Sequence, residues 1–459
     1  MSEPRHVVVI GGGPGGYGAA LAARAKGAQV TIIEAERPGG QCVNHACIPT
    51  GAMLSAAVPF LEGQELSVMG VIDLGDQLSF SRAVARKDAL VARMVEGIAA
   101  SLRMAKVQTI IGNAVFADES TVIVTAEGTE RRLIADSFII ATGADWIVPE
   151  LPGLPAGRVV TADVIHATPS APETALVLGA GPAQTAFGVE YAVLLAASGT
   201  SVTLAVPGPH VVPGLDADLD PLVDQALSAL GIRLMTSAQV VGGNSDGVVL
   251  RHADGESEVA AASIVAADAR SPAIDAASPS RAGVICDDGV VVDRTCRTNV
   301  AHIFAVGDVT GGAMVTAAAS HMGEVAGANA ADGGQRRTRL GRLPHSLHTV
   351  PEIAWIGATE ADAAGLVENL GSATIDLGWS ARSITLGGRE GALKLVVDLD
   401  LGEILGAHAV GPGASEIIAV CTAAMQAELT VEDVAAQLHW HPSHAESVRE
   451  VAQRLIDRR

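Results

Sequence analysis

VVVIGGGPGGYG at residues 7–18, then an alanine-rich stretch, Gly27 and VTIIE at residues 30–34, decide the reading of this chain. Val7 to Ile10 have the length and β-branched composition of a strand buried on both faces. Glycines interrupt the run, helix-forming alanines follow, and a second apolar run ends on Glu34. Strand, glycine turn, helix and strand in that order make a βαβ unit. Gly11 suits the tight turn, Gly13 the approach of a pyrophosphate to N–H groups at a helix start, and Gly16 close helix–strand contact. Glu34 is placed to accept from a ribose diol.

A second copy starts at ALVLGAG, residues 175–181, and ends at Gly199 and VTLAV, residues 202–206. Sixteen positions separate Gly11 from Gly27 and twenty separate Gly179 from Gly199, and Val206 stands where the first copy has Glu34. Both differences fall on ligand chemistry. Short buried-strand patterns ending in turn residues recur at IIATGA, residues 139–144, and IFAVGD, residues 303–308. From about residue 345 the pattern becomes alternating strands such as ALKLVV, residues 392–397, then helices near 414–428 and 443–457, which indicates a separate α+β unit.

The rest of the composition narrows the class. A chain of 459 residues exceeds one hydrophobic core. Formal charge −21 with 49% hydrophobic residues fits a folded protein without a basic face, so nucleic acid is not an expected partner. Five cysteines do not form a secreted disulfide framework, and Met1 to Ile10 lack the features of a signal peptide, so the cytoplasm is expected. No run of about 18 uninterrupted apolar residues occurs, and no membrane span is expected.

Several further motifs follow in order: GGQCVNHACIP at 39–49, ATGA at 141–144, AVGDVTGG at 305–312, VPEIAWIG at 350–357, GAHAVGPGASEII at 406–418 and HWHPSHAE at 439–446. Together with GGGPGG at 11–16 they resemble the flavoprotein disulfide reductases, and within them dihydrolipoamide dehydrogenase. The resemblance implies an α/β fold with two Rossmann-like dinucleotide-binding domains and a C-terminal α+β dimerisation domain. It implies an FAD-binding part at 1–148 with a central part at 271–344, an NAD(P)-type part at 149–270, and an interface part at 345–459 that makes a homodimer. FAD is the implied cofactor, held by Gly11, Gly13, Gly16, Glu34, Gly143 and Asp308; NAD(P) use is left open.

Cys42 and Cys47 are five positions apart, a rise of roughly 7.5 Å in a regular helix and too long for a disulfide, so at least one must lie in a distorted turn. By resemblance Cys42 is the interchange thiol that attacks a thiol or disulfide substrate, small or carrier-bound, and Cys47 faces the flavin. Cys286, Cys296 and Cys421 have no such frame and read as structural. Dithiol exchange needs a base, and His441, five residues before Glu446, has the right chemistry, the carboxylate orienting the ring. The resemblance places this dyad against the thiols of the other subunit. His439 and His444 lack a ligand frame, so no metal site is expected.

The departures gather on one side. Gly51 occupies the position of a lysine that lies near the flavin in dihydrolipoamide dehydrogenases, which removes a cation, while its glutamate partner survives as Glu190 if Pro182 to Ala186 take up four extra residues. With no gap, Gln184 would stand at the third-glycine position instead. Val206 forfeits a ribose acceptor worth about 1.5 to 3 kcal/mol. Ala269-Arg270-Ser271-Pro272 alters the loop expected on the nicotinamide side. Three readings remain: a nucleotide-coupled oxidoreductase, a flavin thiol oxidase using dioxygen or another acceptor, and a non-catalytic FAD-binding dimer.

Overall fold

A computed structural model describes residues 3–457, apart from residues 69, 75–77, 156, 180–186, 245–246 and 268. In its first sheet β1 (His6–Ile10) pairs in parallel with β2 (Gln29–Glu34) and with Ser137–Ile140, and Ile303–Ala305 and Gln108–Ile111 form the edges. Val7, Val8 and Val9 are wholly buried, which is why this strand reads as an unbroken apolar run. Between the two strands runs α1 (Pro14–Ala25), with proline in its first turn. It lies so close to the helix Thr316–Asp332 that a Cβ on Gly323 would stand 2.2 Å from the Gly15 carbonyl oxygen, and one on Gly327 2.1 Å from that of Ala19. The glycine- and alanine-rich composition here is a condition of backbone contact.

The second sheet repeats the plan, with Thr174–Leu178 parallel to both Ser201–Ala205 and Ser263–Ala266 and the helix Phe187–Ala197 as crossover. A Cβ on Gly188 would meet Gly179 Cα at 2.6 Å, just as one on Gly16 would meet the Gly11 carbonyl at 1.9 Å. Gly188, nine positions after Gly179, therefore does the packing work that Gly16 does five positions after Gly11. The four-residue insertion is the reading that agrees with this contact, and the alternative with Gln184 at the third-glycine position does not. Pro182 to Ala186 themselves lie outside the described residues.

The third sheet is antiparallel, in the order Pro344–Leu347, Ile353–Gly357, Glu403–Val410, Ala392–Asp398, Leu370–Asp376. Helices Ala414–Gln426 and Glu446–Ile456 contribute Ile417, Ile418, Cys421, Val448 and Val451 to its core. The last helix starts at Glu446 rather than near 443, because the Glu446 carboxylate accepts the Ser443 N–H at 2.8 Å and closes a turn ahead of it. Two three-stranded meanders, built on Thr121–Ala126 and Gly247–His252, were not anticipated. Nor was the apolar helical stretch 40–68, which by length and composition alone could cross a membrane; half of its most apolar window is buried in the fold.

Candidate active site

Two turns of chain bring the first glycine loop to the thiols. Gly11 has φ +104°, and Gly39 donates its N–H to the Gly12 carbonyl at 2.8 Å. A Cβ on Gly40 would approach Gly13 Cα to 2.6 Å, so a second glycine is needed where the loops cross. From Gly40 the chain forms α2 (Gly40–Asn44), breaks at His45 and Ala46, and starts α3 (Cys47–Val68). The His45 and Ala46 N–H groups both bond the Gln41 carbonyl, at 2.8 and 2.9 Å. This is the distorted turn that the five-residue spacing requires: Cys42 sits in the short helix and Cys47 opens the long one.

Both sulfurs are free thiols. Thr316, at the start of the helix Thr316–Asp332, donates its hydroxyl to Cys42 Sγ at 3.4 Å and lies 3.8 Å from Cys47 Sγ. Hydrogen bonding between the two sulfurs separates their acidities. Cys42 is pushed up, by that bond first and then by burial. Cys47 falls to about 7, chiefly because Cys42 donates to it, with Thr316 and Arg270 assisting against burial. The thiolate therefore forms on Cys47.

Gly11, Gly13, Glu34, Cys42, Cys47, Gly143 and Asp308 all line one cavity of about 550 Å³. Gly16 is not in the wall; it packs beneath Gly11, and its part is steric. The wall suits a dinucleotide. The N-terminus of α1 has no side-chain cap, so its first N–H groups are open to an anion, and a Cβ on Gly13 would meet only Gly40 Cα, at 3.7 Å, leaving the space in front of it clear. Glu34 accepts the Gly12 N–H at 2.6 Å and the Glu36 N–H at 2.9 Å, which fixes its carboxylate at the end of β2.

Arg270, in the altered loop at residues 269–272, brings a guanidinium to the thiol cavity. Nη1 lies 3.0 Å from Asp308 Oδ2, and Nη2 donates to the Met314 carbonyl at 2.9 Å. Burial raises the Asp308 carboxyl, and Arg270 opposes the rise. Thr316, Arg270 and His348 were not singled out as site residues from sequence. Arg270 is 38 positions from Asp308 and Thr316 is 269 from Cys47, so only the fold joins them.

His441 and Glu446 form the expected dyad. Nδ1 is 3.1 Å from Glu446 Oε1, and the carboxyl is held below its ordinary range by the Ser443 N–H and then by His441. The ring is largely exposed, beside exposed Leu438 and Trp440, and is not part of the thiol cavity wall of its own chain. On the nucleotide side Val206 is fully buried, with its N–H bonded to the Met235 carbonyl at 2.9 Å. Glu190 and Phe187 line the thiol cavity.

The chain matches the family described as pyridine nucleotide-disulphide oxidoreductase over residues 5–323 and that family's dimerisation domain over residues 343–452. It is 33% identical to the dihydrolipoyl dehydrogenase of Thermus scotoductus, covering 98% of this chain and 97% of that one. It is 30% identical to the dihydrolipoyl dehydrogenase of Pseudomonas aeruginosa, again covering 98% and 97%. Among solved structures, LpdA from Mycobacterium tuberculosis superposes with a TM-score of 0.87 at 27% identity over 98% of this chain and 99% of that one. The HOCl-induced flavoprotein disulfide reductase RclA from Escherichia coli gives 0.85 at 25%, with the same coverage.

Proposed function

The chain belongs to the pyridine nucleotide-disulphide oxidoreductase family and is an FAD-dependent disulfide oxidoreductase like the dihydrolipoyl dehydrogenases, and from that premise we propose that it oxidises a dithiol and discharges the electrons without a pyridine nucleotide. The observation behind the second half is Val206, a buried aliphatic side chain at the strand end where the first βαβ copy carries Glu34.

In this reading the substrate is a dihydrolipoyl-type dithiol, free or carrier-bound. The partner's His441, its ring oriented by the partner's Glu446, takes a proton from the incoming thiol, which attacks the Cys42 sulfur of the disulfide. The second substrate sulfur then displaces Cys42, leaving Cys42 as thiol and Cys47 as thiolate, the state that the sulfur and Thr316 hydrogen bonds and the Arg270 charge favour. FAD, when bound, supplies a two-electron acceptor for Cys47. Gly11, Gly13, Glu34, Gly143 and Asp308 would hold it, and Gly16 keeps the loop closed.

Anaerobic mixing of the yellow protein with dihydrolipoamide, NADH or NADPH tests both halves. Rapid reduction by the dithiol and slow reduction by either nucleotide are expected, and admitting dioxygen to a separate sample with excess dithiol should form peroxide. Flavin reduction at tens per second by micromolar NADH or NADPH would reject the second half and leave the first standing.

A further inference from the structure

Glu190 is a buried carboxyl that this thiol exchange does not use. It stands on the helix Phe187–Ala197 in the wall of the cavity that holds Cys47, is 4% exposed, and accepts the backbone N–H of His348 at 2.9 Å. The His348 ring stands 3.6 Å from Glu352 Oε1, and Glu352 is fixed in turn by the Ser415 hydroxyl at 2.7 Å. His348 and Gly51 line both the thiol cavity and a second, larger one of about 1320 Å³. A Cβ added at Gly51 would meet nothing within 4 Å, so α3 contributes no side chain at that point of the wall.

Glu190 and Cys47 thus share a wall in which both cannot comfortably be charged. Burial raises the Glu190 carboxyl, and its negative form would raise the Cys47 thiol. When the disulfide forms, the Cys47 charge disappears and the objection to a carboxylate weakens. His348, raised first by Glu352 and also by Glu190, then offers a counter-charge, and Glu352 is held ionised by His348 and Ser415 in spite of its own burial. The neighbouring titratable groups are otherwise engaged: Arg270 with Asp308, Tyr191 with Thr50 and His166, and His345 stacked on Trp355.

We propose that Glu190 is a proton-holding residue tied to the redox state of the thiol pair: carboxylic acid while Cys47 is a thiolate, carboxylate once Cys42 and Cys47 are joined. It rests on the redox activity of that pair and not on the identity of substrate or acceptor. In the step, the S–S bond forms and two electrons leave the sulfurs for the oxidant, FAD when bound or an added one-electron acceptor. The Cys42 proton goes to the base, and the Glu190 proton goes to the cavity beside His348.

The test is a proton count. The holoenzyme, reduced with one equivalent of dithiol, is oxidised at pH 8 by ferricyanide, which takes electrons and no protons, in weakly buffered indicator solution. The wild type should release about two protons per pair, one from Cys42 and one from Glu190, and Glu190→Gln about one. The Cys47 thiolate absorbance of Glu190→Gln should titrate lower than wild type by about half a pH unit or more, and that of His348→Gln, which keeps Glu190 protonated, should move the same way by less. Gly51→Lys, which has room, places a cation in the same wall and should also reduce the count to about one. It keeps the test decisive if Glu190→Gln does not fold. Equal proton release in wild type and either variant would overturn the proposal, as would a Cys47 titration that Glu190→Gln leaves in place. A merely structural Glu190 would leave the Cys47 titration in place in both substitutions. No nucleotide or physiological acceptor enters the measurement, so its failure is separable from failure of the oxidase reading.

Discussion

Replacing Arg270 by methionine keeps a long side chain in the thiol cavity and removes its charge. The Arg270–Asp308 pair is 3.0 Å long with side chains 10% and 18% exposed, so the substitution strands a buried carboxylate. Breaking a buried pair from one side costs about 3 to 5 kcal/mol, and protonation of Asp308 caps the loss nearer about 2 to 3 kcal/mol at pH 7. The sign with pH follows. In the variant the Asp308 carboxyl is raised above its unfolded value, the folded state binds the extra proton, and the deficit grows as pH rises through and above the ordinary carboxylate range. Cys47 loses its cation but keeps the Cys42 and Thr316 hydrogen bonds, so it should rise from about 7 by only about half a unit, which takes the thiolate fraction at pH 7 from about one half to about one quarter. Adding Asp308→Asn removes the stranded charge. The double variant should regain most of the stability while its thiol remains raised. Thermal unfolding between pH 5 and 8 and thiolate absorbance measure the two effects separately. Loss of less than about 1 kcal/mol with an unmoved thiol would refute the coupling between Arg270, Asp308 and Cys47.

Gly13→Val should leave the unliganded chain close to wild-type stability, because only Gly40 Cα lies near the new Cβ, and should lower FAD occupancy; full occupancy in the flavin-to-protein absorbance ratio would show that the cradle lies elsewhere. The two-electron-reduced wild type should show a long-wavelength thiolate–flavin band; Cys42→Ser, which has no disulfide to reduce, should show it with the flavin oxidised and Cys47→Ser should not, and the reverse pattern would exchange the two sulfurs' roles. His441→Gln should slow dithiol oxidation by about 10² to 10⁴. Mixed dimers of His441→Gln and Cys42→Ser chains should recover turnover, since one of their two sites has both partners intact; mixtures no more active than the parents would place the dyad's work within one chain.

The fold class was legible because packing rules leave marks at short range. The run Val7 to Ile10 is apolar without alternation since α1 and the helix Thr316–Asp332 cover one face of its sheet and the meander built on Thr121–Ala126 covers the other, and the glycines at 11 and 16 stand where a side chain would collide with backbone. The cysteine turn was legible for the same kind of reason, a covalent distance that a regular helix cannot span. The meanders on Thr121–Ala126 and Gly247–His252 escape the periodicity because their strands are half-exposed and alternate weakly, although Glu127-Gly128, both at positive φ, and Asp254-Gly255 mark two of their hairpin turns.

The electrostatics of the site were much less legible, and Arg270 shows why. Its sequence neighbours assign it to the second βαβ unit, but the short antiparallel pairing of Arg270–Pro272 with Ala144–Trp146 carries it back against the first, where it meets Asp308 and the thiols. A charge is local in space, and one pairing of three residues decides which cavity feels it. Comparison of the two βαβ copies separates packing from chemistry in the same way. Gly188 restores the contact that Gly16 makes, despite four extra residues, because without it the helix cannot lie on its strand. Nothing in the packing demands an acid at the strand end, and there Glu34 has become Val206, fully buried. The contact is kept at Gly188 while the strand end beside it carries no ribose-accepting acid, a pattern that supports the proposed reading. That difference, rather than any defect in the second sheet, is the physical ground for looking beyond pyridine nucleotides for the acceptor.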